Sequence, residues 1–196
     1  MTQTRRRDAA ATRAAILASA RRGFARSGYD GVGVREIAEG AGVTAMMVNR
    51  YFGSKERLLG EVIAQIMAEP TILTRENLAA PDFPARIAAL LVDITAAGST
   101  PLDGFLIMLR SSSDEAAAVA RAQIEAHYHR RLTESLDGDL APQRAAIVLA
   151  VVSGFQVMRQ VIGLSALSDA DPEDLRALLE PLFRQLVTKS TPAQDR

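Results

Sequence analysis

Apolar residues in this chain recur three and four positions apart almost from end to end, as in Ile16, Leu17, Ala20 and Phe24 and again in Leu175, Leu178, Leu182 and Leu186. That spacing gathers them on one face of an α-helix, and no run of alternating β-branched residues with hairpin turns interrupts it. The chain therefore reads as all-α. Glycines, prolines and polar clusters divide it into about nine helices, expected over 9–27, 34–39, 45–51, 55–68, 83–97, 102–110, 114–136, 142–164 and 172–188.

Several starts have a chemical reason. Ser54 and Asp114 can each accept a hydrogen bond from the free amides of the helix that follows, and Asp171 before Pro172 gives a cap with proline at the first helical position. Gly28 should end the first helix, and Pro181 should kink the last one because proline removes a donor and crowds the preceding turn. The polar ends, 1–7 and 190–196, are expected to be mobile.

The sequence has no cysteine, which removes disulfides, thiolate nucleophiles and zinc–cysteine sites. The longest unbroken apolar run, 145–152, is far short of the roughly 20 residues of a membrane span, and no signal-peptide core follows Arg5, Arg6 and Arg7. A soluble, cytoplasmic protein is expected. Its zero net charge hides a division: residues 1–60 hold 11 Lys and Arg against 5 Asp and Glu, and the remainder holds 12 against 18. A basic third joined to an acidic remainder suggests that the first segment meets a polyanion.

Within that basic third, residues 34–53 have the spacing of two short helices joined by a tight turn. Ile37, Ala41, Val43, Val48 and Tyr51 fall on inward positions, Ala38 sits where the helices cross closely, and Gly42 supplies a turn needing positive φ. In this geometry the second helix lies in the DNA major groove with its N-terminal residues toward the base edges. Thr44 would cap it, and Ala45, Met46, Asn49 and Arg50 are the candidates to meet DNA. Met47 divides evenly between packing and contact. Arg5–7 reads equally as an arm reaching a neighbouring groove or as a solubilising tail.

The stretch TRAAILASARRGFARSGYDGVGVREIAEGAGVTAMMVNRYFGSKERLLGEVI resembles the N-terminal domain of the TetR family of transcriptional regulators. The matching features are Ala20 and Phe24, Gly28-Tyr29, Arg35, Ile37-Ala38, Ala41-Gly42-Val43, Tyr51-Phe52, Ser54-Lys55 and Leu58-Leu59. The resemblance implies a helix-turn-helix DNA-binding domain, over residues 1–55, and a C-terminal helical ligand-binding and dimerisation domain over 56–196. It also implies a homodimeric repressor that binds a palindromic operator and is released by a small-molecule effector. By position it places Thr44, Asn49, Tyr51 and Lys55 on DNA, with Arg35 and Arg50 close by; Lys55 opens a helix, where amides and dipole also favour a phosphate. The chain departs from the family at Asn49, where an aromatic residue is usual, and at Gly33, where a hydroxyl residue is usual. Asn49 has the chemistry to bond an adenine edge or a phosphate.

In the acidic remainder, 142–164 carries more apolar residues than one buried stripe needs, so part of that surface should face a second copy. Val151, Gly154, Phe155, Met158, Leu179, Leu182, Phe183 and Leu186 are the expected dimer face, the other reading being that this helix is simply central in the protomer. Phe105, Met108, Arg110, Gln123, His127, Phe155 and Met158 are candidate linings of an effector pocket. His127 and His129 point about 200° apart on a helix and cannot share a metal, while His129 and Glu125 have ion-pair spacing.

No nucleophile elbow, phosphate-cradling glycine loop or zinc-spaced histidine pair is present, so no enzyme, cofactor or metal is expected. The alternative is a helix-turn-helix regulator whose C-terminal domain serves dimerisation or a protein partner without a small ligand.

Overall fold

The computed structural model describes residues 2–68, 70–96, 99 and 103–188, and the backbone alone for 2–7. The polar C-terminal end, 190–196, lies outside the described residues. Among them the regular structure is helical throughout, without a strand. The chain forms two compact units: Met1–Ala68 with Leu102–Ile124, and Glu69–Pro101 with Glu125–Arg196.

The first unit holds α1 (Thr2–Gly31), α2 (Val34–Gly40), α3 (Ala45–Phe52), α4 (Lys55–Ala68), α7 (Asp103–Arg110) and α8 (Asp114–Ile124). Between α4 and α7 the chain passes through α5 (Arg75–Ala79) and α6 (Phe83–Ile94) of the second unit. α1 begins earlier than its apolar pattern, so Thr2 to Arg7 continue a helix instead of forming a loose tail. Its regular course breaks at Gly28, with φ 71° and ψ 176°, as the sequence suggests. Ile16, Ala20 and Phe24 of α1 are buried with Ile37, Val48, Phe52, Leu58, Leu59 and Ile107.

α7 runs along α1 and α8 along α4. Asp103 accepts from Arg21 at 2.6 Å, the Ser111 hydroxyl accepts from the Tyr29 amide at 2.9 Å, and Asp30 accepts from the Ser113 amide at 3.2 Å. α8 is capped by Ser113, whose hydroxyl accepts from the Ala116 amide at 3.4 Å. Asp114, expected as the cap, is the first helical residue, and its charge favours the helix start from there.

The second unit adds α9 (Arg130–Ser135), α10 (Ala141–Gln156), α11 (Ser165–Ser168) and α12 (Pro172–Val187). Two π-helical segments, Glu125–His129 and Val157–Val161, interrupt what apolar periodicity alone reads as continuous helices. α12 packs along α6 and against α10, around Ile87, Leu91, Leu132, Val148 and Phe183. Asp171 caps α12 by accepting from the Glu173 amide at 2.8 Å, and the helix continues through Pro181 to Val187. The short α5 and α11 carry too few turns for periodicity to show them.

The wider π turn also changes the pairing expected of His129. A π-helix closes i to i+5, so Glu125 is no longer the residue beneath it. The His129 Nε2 lies 2.8 Å from the Pro142 carbonyl oxygen, and among the described residues His129 makes no ion pair.

Ala141–Val161 forms 21 helical residues with mean hydropathy 1.3, long and apolar enough to cross a membrane, which an unbroken-run criterion overlooks. Its inward face is that of a protein core: Ala145, Val148, Gln156 and Arg159 are buried. Its other face leaves Ile147, Met158 and Val161 exposed, and Ile162 just beyond its end is exposed too.

Candidate nucleic-acid interface

The turn between α2 and α3 is built by backbone hydrogen bonding around one glycine. The Ala41 amide donates to the carbonyls of Ile37 and Ala38, Gly42 to Glu39, and Val43 back to Ala38, at 3.0 to 3.2 Å. Gly42 supports this at φ 68°. Ala38 is buried at the crossing, and the Ser19 hydroxyl of α1 donates to the Ile37 carbonyl at 2.8 Å, fixing α2 to α1.

α3 is capped by Thr44, whose hydroxyl accepts from the Met47 amide at 3.4 Å, and it is held down by Val48 and Phe52. Tyr51, expected inward, is only half-buried, and Phe52 takes the core position beside it. Ala45 and Met47 are half-buried. Thr44, Asn49 and Arg50 are exposed, and Met46 is 80% exposed, unusual for a methionine. Met46, Asn49 and Arg50 therefore share the open side of a helix anchored from behind, with Thr44 exposed at its N-terminal end. Gly33 begins α2 with extended backbone and no side-chain cap.

The basic charge of this unit divides into paired and available. Arg13 pairs with Glu61, Arg21 with Asp103 and Arg26 with Glu36. Arg35 and Arg50 are exposed and make no ion pair among the described residues. Lys55 stands at the first position of α4 with its Nζ 4.3 Å from the centroid of the Tyr29 ring. The ring's negative face holds the ammonium without neutralising it.

Tyr29 is in turn fixed by donating its hydroxyl to Glu56 at 2.7 Å. Hydrogen bonds from Ser54 and then Tyr29 hold the Glu56 carboxyl down to about 2, while burial and then Glu56 push the Tyr29 phenol above its ordinary range. Sequence spacing gives no sign of this support, because Tyr29 and Lys55 are brought together only by the packing of α1 on α4.

The seven candidate effector-lining residues divide between the units. Phe105, Met108, Arg110 and Gln123 belong to the first; His127, Phe155 and Met158 belong to the second. Arg110 fastens the end of α1, since its guanidinium donates to the Ala25 carbonyl and, at 3.3 Å, to that of Arg26. Phe105 is buried in the core. A cleft of about 320 Å³ lies between α1 and α2, walled in part by Arg22, Arg26, Glu36 and Glu39, and none of the seven lines it.

On the expected dimer face, Gly154, Met158 and Leu182 are exposed and Val151, Phe155 and Leu186 half-buried. Leu179 and Phe183 are corrected: both are buried within the unit, and the outward stripe of α12 passes one residue earlier, through Leu178, which is 73% exposed.

An anchored helix-turn-helix with an open polar face and unpaired cations beside it defines a DNA-binding regulator. Residues 16–62 match the family described as bacterial regulatory proteins, tetR family, and residues 82–187 match the tetracyclin repressor-like C-terminal domain. The chain belongs to the TetR family of transcriptional regulators. It is 29% identical over 174 residues to the HTH-type transcriptional regulatory protein RaaS of Mycobacterium tuberculosis, covering 85% of this chain and 77% of that one. In fold it resembles NalD, the secondary repressor of the MexAB-OprM multidrug efflux pump in Pseudomonas aeruginosa, with TM-score 0.63 and 24% identity over 92% of this chain and 97% of NalD. It also resembles a TetR-family regulator of Streptomyces coelicolor, with TM-score 0.60 and 23% identity over 92% and 96% of the two chains.

Proposed function

We propose that the protein is a homodimeric repressor that binds a palindromic operator and is released by a small-molecule effector. The observation carrying the DNA half is the open face of α3, where Met46 and Asn49 project beside the unpaired Arg35 and Arg50 and the ring-held Lys55. Arg35, Thr44, Arg50, Tyr51 and Lys55 take phosphates, and Ala45, Met46 and Asn49 meet base edges, a division between positioning and reading that helix-turn-helix proteins share. Acting on an operator places the protein in the compartment that holds the genome.

The outward stripes of α10, with the π-helical segment that continues it, and of α12 supply the twofold contact, with Ile147, Met158, Leu178 and Leu182 around the small Ser153 and Gly154, in a four-helix arrangement. Dimerisation then sets two copies of α3 about 34–36 Å apart, or a little more, on successive major grooves. An effector bound among the C-terminal helices lowers DNA affinity by no more than its differential affinity for the two conformers, so a hundredfold release needs about 3 kcal/mol.

Mobility shift of the full-length protein on palindromes from the DNA upstream of its own reading frame tests this. A single retarded species with dimer stoichiometry is expected. Failure to bind any of them more tightly than a scrambled duplex refutes the DNA half. DNA binding that no compound in a broad metabolite set disturbs refutes the effector half and leaves a regulator whose C-terminal helices only dimerise.

A further inference from the structure

Arg159 is the one arginine described as buried, at 6% exposure, and no carboxylate pairs with it among the described residues. It lies in the π-helical segment Val157–Val161 and reaches the C-terminal end of α6. Its Nη1 donates to the Val92 carbonyl at 2.8 Å and to the Thr95 hydroxyl at 3.0 Å. That hydroxyl in turn donates a hydrogen bond to the Leu91 carbonyl at 2.6 Å. These neutral acceptors and the end of the α6 dipole satisfy one nitrogen. The buried Nε has no partner.

The surroundings leave the charge uncompensated. Asp93, the acid at this end of α6, is already bound to Arg176 at 2.6 Å. The Phe155 ring stands with its centroid 5.8 Å from the guanidinium carbon and provides an apolar wall with a weakly attractive face. Burial lowers the Arg159 pKa, and no neighbouring acid opposes that shift. Next to it, Gln160 donates to the Ile94 carbonyl at 3.2 Å and to the Ser99 hydroxyl at 2.9 Å, and its buried Oε1 is also unpartnered.

A buried cation without an anion is costly, and a guanidinium is suited by shape to a carboxylate, through two parallel N–H donors. π-Helical turns recur at functional sites because the extra residue re-aims a side chain, and here the turn carries the cation itself. We infer that Arg159 is the anchor for an organic carboxylate whose apolar part lies toward Phe155. The inference rests on the effector reading above, and it narrows the effector to an anion with an apolar body. The unpartnered Gln160 carbonyl is available to a donor on the same molecule or to a bridging water.

The test uses full-length wild type, Arg159→Met and Arg159→Lys, with octanoate and benzoate as probes and octan-1-ol and benzamide as neutral counterparts. Thermal melts report binding, and mobility shift on the operator reports release. At least one carboxylate should raise the wild-type Tm by roughly 4 °C or more at saturation, its neutral counterpart should not, and Arg159→Met should lose the shift. Arg159→Lys keeps the charge without the planar fork and should respond at least tenfold more weakly. Arg159→Met should melt no lower than wild type without a probe, since an apolar isostere removes an uncompensated charge.

Equal shifts in wild type and Arg159→Met, equal shifts by acid and neutral probe, or no shift with either acid overturn the anchor. A carboxylate that stabilises the wild type through Arg159 but leaves DNA binding untouched keeps the site and refutes effector release. Release by neutral compounds, unchanged in Arg159→Met, does the reverse.

Discussion

Replacing Gly28 by alanine should be among the most damaging single-methyl additions in the DNA-binding unit. At φ 71° and ψ 176° the residue occupies a region that essentially only glycine enters, and strain of this kind costs about 1–3 kcal/mol. A Cβ there would also overlap the carbonyl of Arg110, which is backbone and cannot rotate away. Relief means moving the end of α1 off the 110–113 segment. That movement loosens the Tyr29–Ser111 and Ser113–Asp30 hydrogen bonds and the grip of Arg110 on the Ala25 carbonyl. At about 1 kcal/mol each, two or three such losses bring the total to roughly 3–6 kcal/mol, a large part of the about 5–15 kcal/mol that holds a protein folded.

Gly42 is the control, since it has φ 68° but no atom within 4 Å of a Cβ. Gly42→Ala should therefore cost only about 1–2 kcal/mol of backbone strain. Urea unfolding followed by far-UV circular dichroism, at one fixed protomer concentration, compares them. Gly28→Ala should fall short of the wild-type midpoint by roughly 2 M, given slopes of about 1–3 kcal/mol per molar. If the two variants lie within about 1 kcal/mol of each other, the close approach of the Arg110 carbonyl to Gly28 is refuted.

Lys55→Ala should weaken binding to every duplex and reduce the salt slope by about 0.9, whereas Asn49→Ala should change the ranking of operators; identical behaviour of the two in a salt-titrated mobility shift refutes the division into phosphate and base contacts. Leu178→Glu should turn the proposed dimer into monomer by size-exclusion chromatography with light scattering while leaving the melt of the monomer cooperative, because its side chain already faces out. Phe183→Ala should instead cost about 3–5 kcal/mol of stability, as expected of a core aromatic. Glu56 titrates near 2 when folded against an ordinary 4.5, so it contributes stability above that ordinary value and loses it as pH falls toward 2. The urea midpoints of wild type and Glu56→Gln should accordingly differ most at neutral pH and converge below pH 4.5; a constant gap refutes the hold of Ser54 and Tyr29 on the Glu56 carboxylate.

What could be read from the sequence follows from how local each feature is. The α2–turn–α3 motif was legible because its determinants lie within twenty residues: a glycine for the turn, a small residue at the crossing, a hydroxyl cap and two apolar anchors. Even there, Tyr51 and Phe52 were indistinguishable by type, and only the packing of α3 chose Phe52 for the core. On α12 the same limit moved the outward stripe by one residue, from Leu179 to Leu178, because a helix apolar on adjacent positions does not say which one faces in. The π-helical segments escaped because they insert a residue into a periodicity whose average hardly changes. Yet that insertion separates Glu125 from His129, and a second one carries Arg159. An arginine on a long apolar helix reads as a solvated head on a greasy stem. Its burial depends on α6 ending at Val92 to Thr95, more than sixty residues away, with carbonyls left to accept. The helix-turn-helix could therefore be argued from its own residues, but the burial of Arg159 could not, since its surroundings are set where distant helix ends meet.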